Sequence, residues 1–130
     1  MVIAVRYYSK LGNTKKIAEA IADAAGVKAV SVTDEPDLEK YADVLFLGGA
    51  PYANIMAPQL REYAARLSSD KIGRVVLFTT SNWSRRTVRA LRKILTEKGI
   101  PVEKSYFYAH MTRIKARVEP AKEFARKVLG

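Results

Sequence analysis

The residues best equipped for chemistry form one short turn near the start of the chain: Ser9, Lys10, Leu11, Gly12, Asn13 and Thr14. They separate an apolar run from a segment of helical period, so a helix begins at their end. The first N–H groups of a helix have no partner and carry partial positive charge. Gly12 lets the backbone approach a ligand, and Ser9 and Thr14 add hydroxyl donors. The turn is therefore suited to hold a phosphate. Ser, Asn and Thr also cap helices without any ligand, and that reading stays open. A Walker pattern is absent because no Gly-Lys-Ser/Thr follows. No acidic residues cluster after the preceding apolar run, which argues against a phospho-acceptor pocket.

The rest of the inventory is sparse. There is no cysteine, which removes thiolate nucleophiles, disulfides and cysteine metal sites, and there is a single histidine, His110. Such a chain is poorly furnished for triad or metal chemistry, so hard chemistry has to come from a borrowed cofactor. His110 reads as a capping or surface residue.

At 130 residues the chain fits one domain, residues 1–130, with one core. The runs Val2–Val5, Val44–Leu47 and Val75–Phe78 are continuously apolar, as interior strands covered on both faces must be. Val27–Val32 and Ile100–Tyr108 mix in polar residues, and the latter contains Pro101, which suits edge strands. Helical spacing recurs in Ile17, Ala18, Ile21, Ala25; in Leu60, Tyr63, Ala64, Leu67; in Val88, Leu91, Leu95; and in Ala121, Phe124, Ala125, Val128. Gly26 and Gly99 fall where C-caps are wanted, and Pro58 near a helix start. Asp34–Tyr41 is too short for more than a turn or two of helix.

This alternation predicts an α/β fold: a doubly wound, five-stranded parallel sheet of order 2-1-3-4-5 with helices on both faces. Ligands bind such sheets beyond the carboxyl ends of the strands, where the winding reverses. The expected site therefore follows Val5, Leu47 and Phe78. No run is long enough to span a bilayer and no signal peptide is visible, so the expected location is the cytoplasm.

The turn Ser9–Thr14 resembles the FMN phosphate loop of the flavodoxin family, whose pattern is Thr/Ser-x-Thr/Ser-Gly-x-Thr. Ser9, Gly12, Asn13 and Thr14 match it, and Leu11 stands where a hydroxyl residue is usual. The loop from Gly48 to Pro58 is also similar. The resemblance implies FMN as cofactor, and implies that this second loop, with Pro51, Tyr52, Ala53 and Asn54, lies against the flavin ring. Tyr52 is then the ring contact, or else a packing residue between loop and helix. Asn54 is the expected turn residue, because Asn enters positive φ readily. A third loop, Thr79–Ser84, brings Ser81, Asn82 and the single tryptophan, Trp83, which either covers the ring or anchors the next helix. In flavodoxins this segment is usually longer and acidic.

Lys and Arg number 23 against 13 Asp and Glu, a net charge of +10. Arg85, Arg89, Arg92 and Lys93, with Arg86 beside them, fall on one helical face, and Arg113, Lys115 and Arg117 follow the last strand. This is either a solvated surface or a docking face for a redox partner with an acidic surface. No nucleic-acid module is recognisable, so nucleic acid ranks last. Lys10, Arg85 and Arg86 are expected near the flavin rim, favouring the reduced form. Taken together, the sequence predicts an FMN-binding electron-transfer protein. The alternatives are an FMN-dependent NAD(P)H or quinone oxidoreductase and a cofactor-free adaptor of the same fold.

Overall fold

The computed structural model of the chain describes residues 1–53 and 55–130. In chain order the elements are β1 (Ile3–Tyr7), α1 (Asn13–Ala25), β2 (Ala29–Ser31), β3 (Ala42–Gly49), β4 (Pro51–Tyr52), β5 (Ile55–Met56), α2 (Pro58–Arg66), β6 (Ile72–Ser81), α3 (Arg86–Glu97), β7 (Val102–His110) and α4 (Ile114–Leu129). Five of the strands form one parallel sheet in the order β2-β1-β3-β6-β7. The short antiparallel pair β4–β5 stands apart, so the main sheet has the expected 2-1-3-4-5 order.

The continuous apolar runs split cleanly between two faces, because successive strand side chains point to opposite sides. Leu45, Leu47, Val75 and Leu77 face one core layer with Leu60 and Tyr63 of α2 and Leu91 and Leu95 of α3. Val44, Phe46, Val76 and Phe78 face the other, with Ile17 and Ile21 of α1 and Ala121 and Ala125 of α4. Burying one such large apolar side chain is worth roughly 1.5–3 kcal/mol, so these two layers hold the sheet.

Several boundaries differ from the sequence reading. The third and fourth strands of the main sheet run on to Gly49 and Ser81, so Gly48, Gly49, Thr79, Thr80 and Ser81 belong to strands and not to loops. The second strand is only Ala29–Ser31, and Asp34–Tyr41 forms no helix. Gly26 does take the left-handed C-cap conformation (φ 74°), and Pro58 is the first residue of α2.

Edge strand β7 is shielded by side chains from its neighbours. The Arg92 guanidinium donates to the carbonyls of Glu103 and Lys104, and that of Arg117 to the carbonyl of Tyr108. Unpaired edge carbonyls otherwise invite pairing with another chain, so two of the basic residues have a structural task.

Tyr63 is 1% exposed, and its hydroxyl has no hydrogen-bond partner among the described residues. Burial pushes its pKa up to about 12, against an opposing pull from Arg6. The fold thus favours the neutral phenol. Stability is full below about pH 10, where unfolded tyrosine begins to ionise, and declines as pH rises toward the folded value. Urea unfolding should show this alkaline loss in the wild type and a smaller one in Tyr63→Phe. At pH 8 the variant should lie within about 1 kcal/mol of wild type, because no hydrogen bond is lost. An unchanged alkaline loss in the variant would acquit Tyr63.

Candidate functional site

The winding reverses at β1: the chain passes from β1 to β2 on one side and then crosses from β2 to β3 on the other. Beyond the carboxyl ends of β1, β3 and β6 lies an open cleft of about 210 Å³. Ser9, Leu11, Asn13 and Thr14 line one wall, Ala50, Pro51 and Tyr52 the second, and Thr80, Ser81, Asn82, Ser84 and Met111 the rest. Enclosed ligand pockets run from roughly 300 Å³ upward, so a ligand larger than a phosphate and a short chain would extend into solvent against the β4–β5 hairpin.

The first wall is the turn singled out from the sequence. Gly12 has φ +96°, which gives the chain the sharp entry into α1 that an L side chain resists. The Gly12 N–H donates to Ser9 Oγ (3.1 Å), closing the turn. No side chain caps the helix start. The first bond of the helical turn runs from Lys16 N–H to the Gly12 carbonyl, leaving the amides of Asn13, Thr14 and Lys15 ahead of it. Asn13 and Thr14 thus do not spend their side chains on capping the helix end.

Thr14 is instead buried, 1% exposed, with its hydroxyl 2.7 Å from that of Thr80. Two hydroxyls carry two protons and one serves their mutual bond, so one remains to donate into the cleft. Thr80, which completes this pair, was not picked out from the sequence. The polar ending of an otherwise apolar strand, Thr79-Thr80-Ser81, was its signal. Met111, in the turn after β7, carried none. Leu11 is 74% exposed at the cleft and supplies no hydroxyl.

Tyr52 bridges two walls. Its hydroxyl accepts the Lys10 N–H (2.7 Å), its ring meets Tyr8 edge-on at 6.1 Å, and Lys10 Nζ lies 5.8 Å from its centroid. Burial raises the Tyr52 pKa, while the Lys10 hydrogen bond acts the other way. Tyr52 therefore ties the hairpin to the Ser9–Thr14 turn. Ala53 has φ +51°. Asn54, the expected turn residue, lies outside the described residues.

In the third loop, Trp83 does not anchor α3. Its indole is 73% exposed and stacks on Tyr108 of β7 (6.5 Å, 20°), with the His110 ring edge-on at 4.8 Å. The Trp83 backbone N–H donates to Tyr108 Oη (2.8 Å), and Tyr108 Oη donates onward to the Ser81 carbonyl. Asn82 Oδ1 contacts His110 Nε2 at 2.9 Å, so His110 braces this loop. Trp83 also has positive φ (+72°). Ala53 and Trp83 are the only non-glycine residues with positive φ among the described residues, and they sit on the two loops beside the cleft. Such strain costs on the order of 1–3 kcal/mol and concentrates at functional sites.

The basic residues divide differently from the single face expected. Arg85 stacks on Tyr108 (3.5 Å to the centroid), and its Nε donates to Tyr106 Oη. It faces β7 and does not line the cleft, so its expected place at a flavin rim is withdrawn. Arg86, Arg89 and Lys93 instead line a groove beside β5. Among the described residues no His, Cys, Asp and Glu cluster could hold a metal ion, and no helix is long and apolar enough to cross a membrane.

A doubly wound parallel sheet with a cleft at the carboxyl ends of its strands, at the switch point, defines a class of α/β proteins that bind ligands there. Residues 4–112 match the family model described as a flavodoxin domain, and the chain belongs to the flavodoxin family. No curated protein sequence matches it. Among solved structures it is similar to oxidised flavodoxin 1 from Bacillus cereus, with 18% identity and TM-score 0.82, covering 99% of this chain and 97% of that one. A flavodoxin from the domain Archaea aligns over 100% of both chains with 21% identity and TM-score 0.74. A short-chain flavodoxin associated with a non-canonical PDU bacterial microcompartment aligns with 17% identity and TM-score 0.72, over 97% and 95%. At these identities the structural likeness speaks for the fold.

Proposed function

We propose that the cleft binds FMN and that the protein carries electrons between redox partners. The observation that carries this reading is the uncapped start of α1. Asn13, Thr14 and Lys15 leave three backbone amides for a dianion, and the buried Thr14–Thr80 pair adds a hydroxyl proton. The donor set suits a phosphate monoester: it is all N–H and O–H, with no carboxylate lining the cleft. The loss of a hydroxyl at Leu11 removes one donor and leaves the amides in place.

Bound FMN would supply electron-transfer chemistry, which no side chain of this cysteine-free chain offers. The protein's part is to hold the phosphate at α1, to place Tyr52 against the ring, and to carry the ring's open side between hairpin and third loop. Ser81, Asn82 and Trp83 form that third side, with Trp83 held through Tyr108. No general acid or base is required, which favours a carrier over an enzyme with its own substrate.

Titration with FMN, followed by quenching of flavin fluorescence, tests the reading. Saturable one-to-one quenching supports it, and a protein that leaves FMN fluorescence unchanged sinks it in favour of a cofactor-free adaptor. Rapid oxidation of NAD(P)H by the yellow protein would instead identify an oxidoreductase.

Tyr52 variants resolve the ring contact. Aromatic stacking on a planar heterocycle is worth roughly 1–3 kcal/mol, so Tyr52→Ala should weaken FMN about tenfold or more. Tyr52→Phe keeps the ring and gives up only the bond to the Lys10 amide, so its affinity should stay within about threefold of wild type. Equal affinities for Tyr52→Ala and wild type would remove Tyr52 from the site.

A further inference from the structure

On the far side of the β4–β5 hairpin, a second groove runs between β5 and α3. It is lined by Ile55, Met56, Arg61, Arg86, Arg89 and Lys93, together with Ala90. Four cations meet there and no carboxylate joins them. None of the four has an ion-pair partner among the described residues.

The placement of these charges costs the fold stability. Arg61 is the fourth residue of α2, and Arg86 and Arg89 are the first and fourth of α3. Helix N-termini carry partial positive charge and prefer acidic neighbours, yet neither first turn holds an acidic residue. Side chains from the first turns of α2 and α3 thus bring like charges to one groove, and a negative partner would offset their repulsion. Ile55, which lines the same groove, is 59% exposed. An exposed apolar side chain among charged ones suits a protein interface. The groove has no aromatic residue on which bases could stack, so single-stranded nucleic acid fits it less well. The hairpin links the groove to the cofactor cleft, because Ile55 pairs directly with Tyr52.

We infer that this groove is the docking site for a redox partner protein with a cluster of carboxylates on its surface, seated on Ile55 and ringed by Arg61, Arg86, Arg89 and Lys93. The inference rests on the electron-carrier reading for the word redox. The docking chemistry stands on the groove itself. The hairpin would then present the partner to the flavin from the side of Tyr52, and salt would weaken the encounter.

A fluorescein-labelled oligoglutamate peptide of about ten residues, followed by anisotropy at roughly 20 mM salt, is the probe. The wild-type chain should bind it. Arg86→Glu/Arg89→Glu/Lys93→Glu should bind at least about tenfold more weakly, and Arg61→Gln/Arg89→Gln, which leaves less repulsion to disturb folding, about threefold to tenfold more weakly. The reference is Lys28→Glu/Lys104→Glu/Arg126→Glu, which reverses the same number of charges at exposed positions outside the groove, before β2, on β7 and on α4, and should stay within about threefold of wild type. Equal weakening by both triple variants would reduce the effect to net charge and overturn the site. So would no binding by wild type, or tighter binding of a single-stranded DNA oligonucleotide through the same four residues. FMN titration of every variant separates the two readings: groove variants should bind FMN as wild type does, and a wild type that ignores FMN would end the carrier reading without touching the peptide result.

Discussion

Thr14→Val is expected to weaken FMN binding by about 10- to 100-fold, because a hydrogen bond to a charged group is worth roughly 1.5–3 kcal/mol. The substitution keeps shape and removes a hydroxyl that is 1% exposed and 2.7 Å from Thr80 Oγ1. It also strands the Thr80 hydroxyl in a buried position, at a cost of about 1–3 kcal/mol to folding. Two effects are therefore superimposed, and the double variant separates them. Thr14→Val/Thr80→Val removes both partners, so it should recover much of the lost stability while FMN affinity stays low. Fluorescence titration reads the first quantity and urea unfolding the second. If Thr14→Val bound FMN as tightly as wild type, the hydroxyl pair would be a structural tie between α1 and β6, and the phosphate would have to rest on backbone amides alone.

The largest effect on stability is expected from Gly48→Ala. Gly48 pairs with Phe78 in the β3–β6 register, and an added Cβ would run into the Phe78 carbonyl oxygen and ring. A backbone carbonyl in the middle of the sheet cannot step aside. The loss should reach about 3 kcal/mol, the upper end of overpacking costs, and lower Tm by about 10 °C. Gly49→Ala is the informative neighbour. Its Cβ would meet the end of the Leu60 side chain at 2.6 Å, which can rotate, so the cost should be about 1 kcal/mol. Comparable losses in both variants would mean that β3 can shift as a unit and that its register against β6 is not tight.

The glycine pair shows where sequence reasoning stops. Gly48-Gly49 reads as the start of the loop leading to Tyr52, yet both residues are the end of a buried strand, and what matters is the absence of a side chain beside Phe78 and Leu60. The division of the basic residues is similar. Helical spacing groups Arg85, Arg89, Arg92 and Lys93, but Arg85 and Arg92 turn to β7 while Arg86, Arg89 and Lys93 turn to the hairpin. Spacing along one helix says which residues share a side, not which neighbour waits on it.

The strand order, the helices on both faces of the sheet and the glycine-led turn into the first helix were legible in the sequence alone. Each rests on local signals: apolar runs of strand length, helical periodicity between them, and a glycine with hydroxyl residues where the first helix starts. Tertiary structure alone decided that Thr14 meets Thr80, 66 positions away, that Tyr52 closes onto the Lys10 amide, and that Trp83 lies on β7. Those contacts join segments far apart in the chain, and they exist only once the sheet has fixed which strand ends lie side by side.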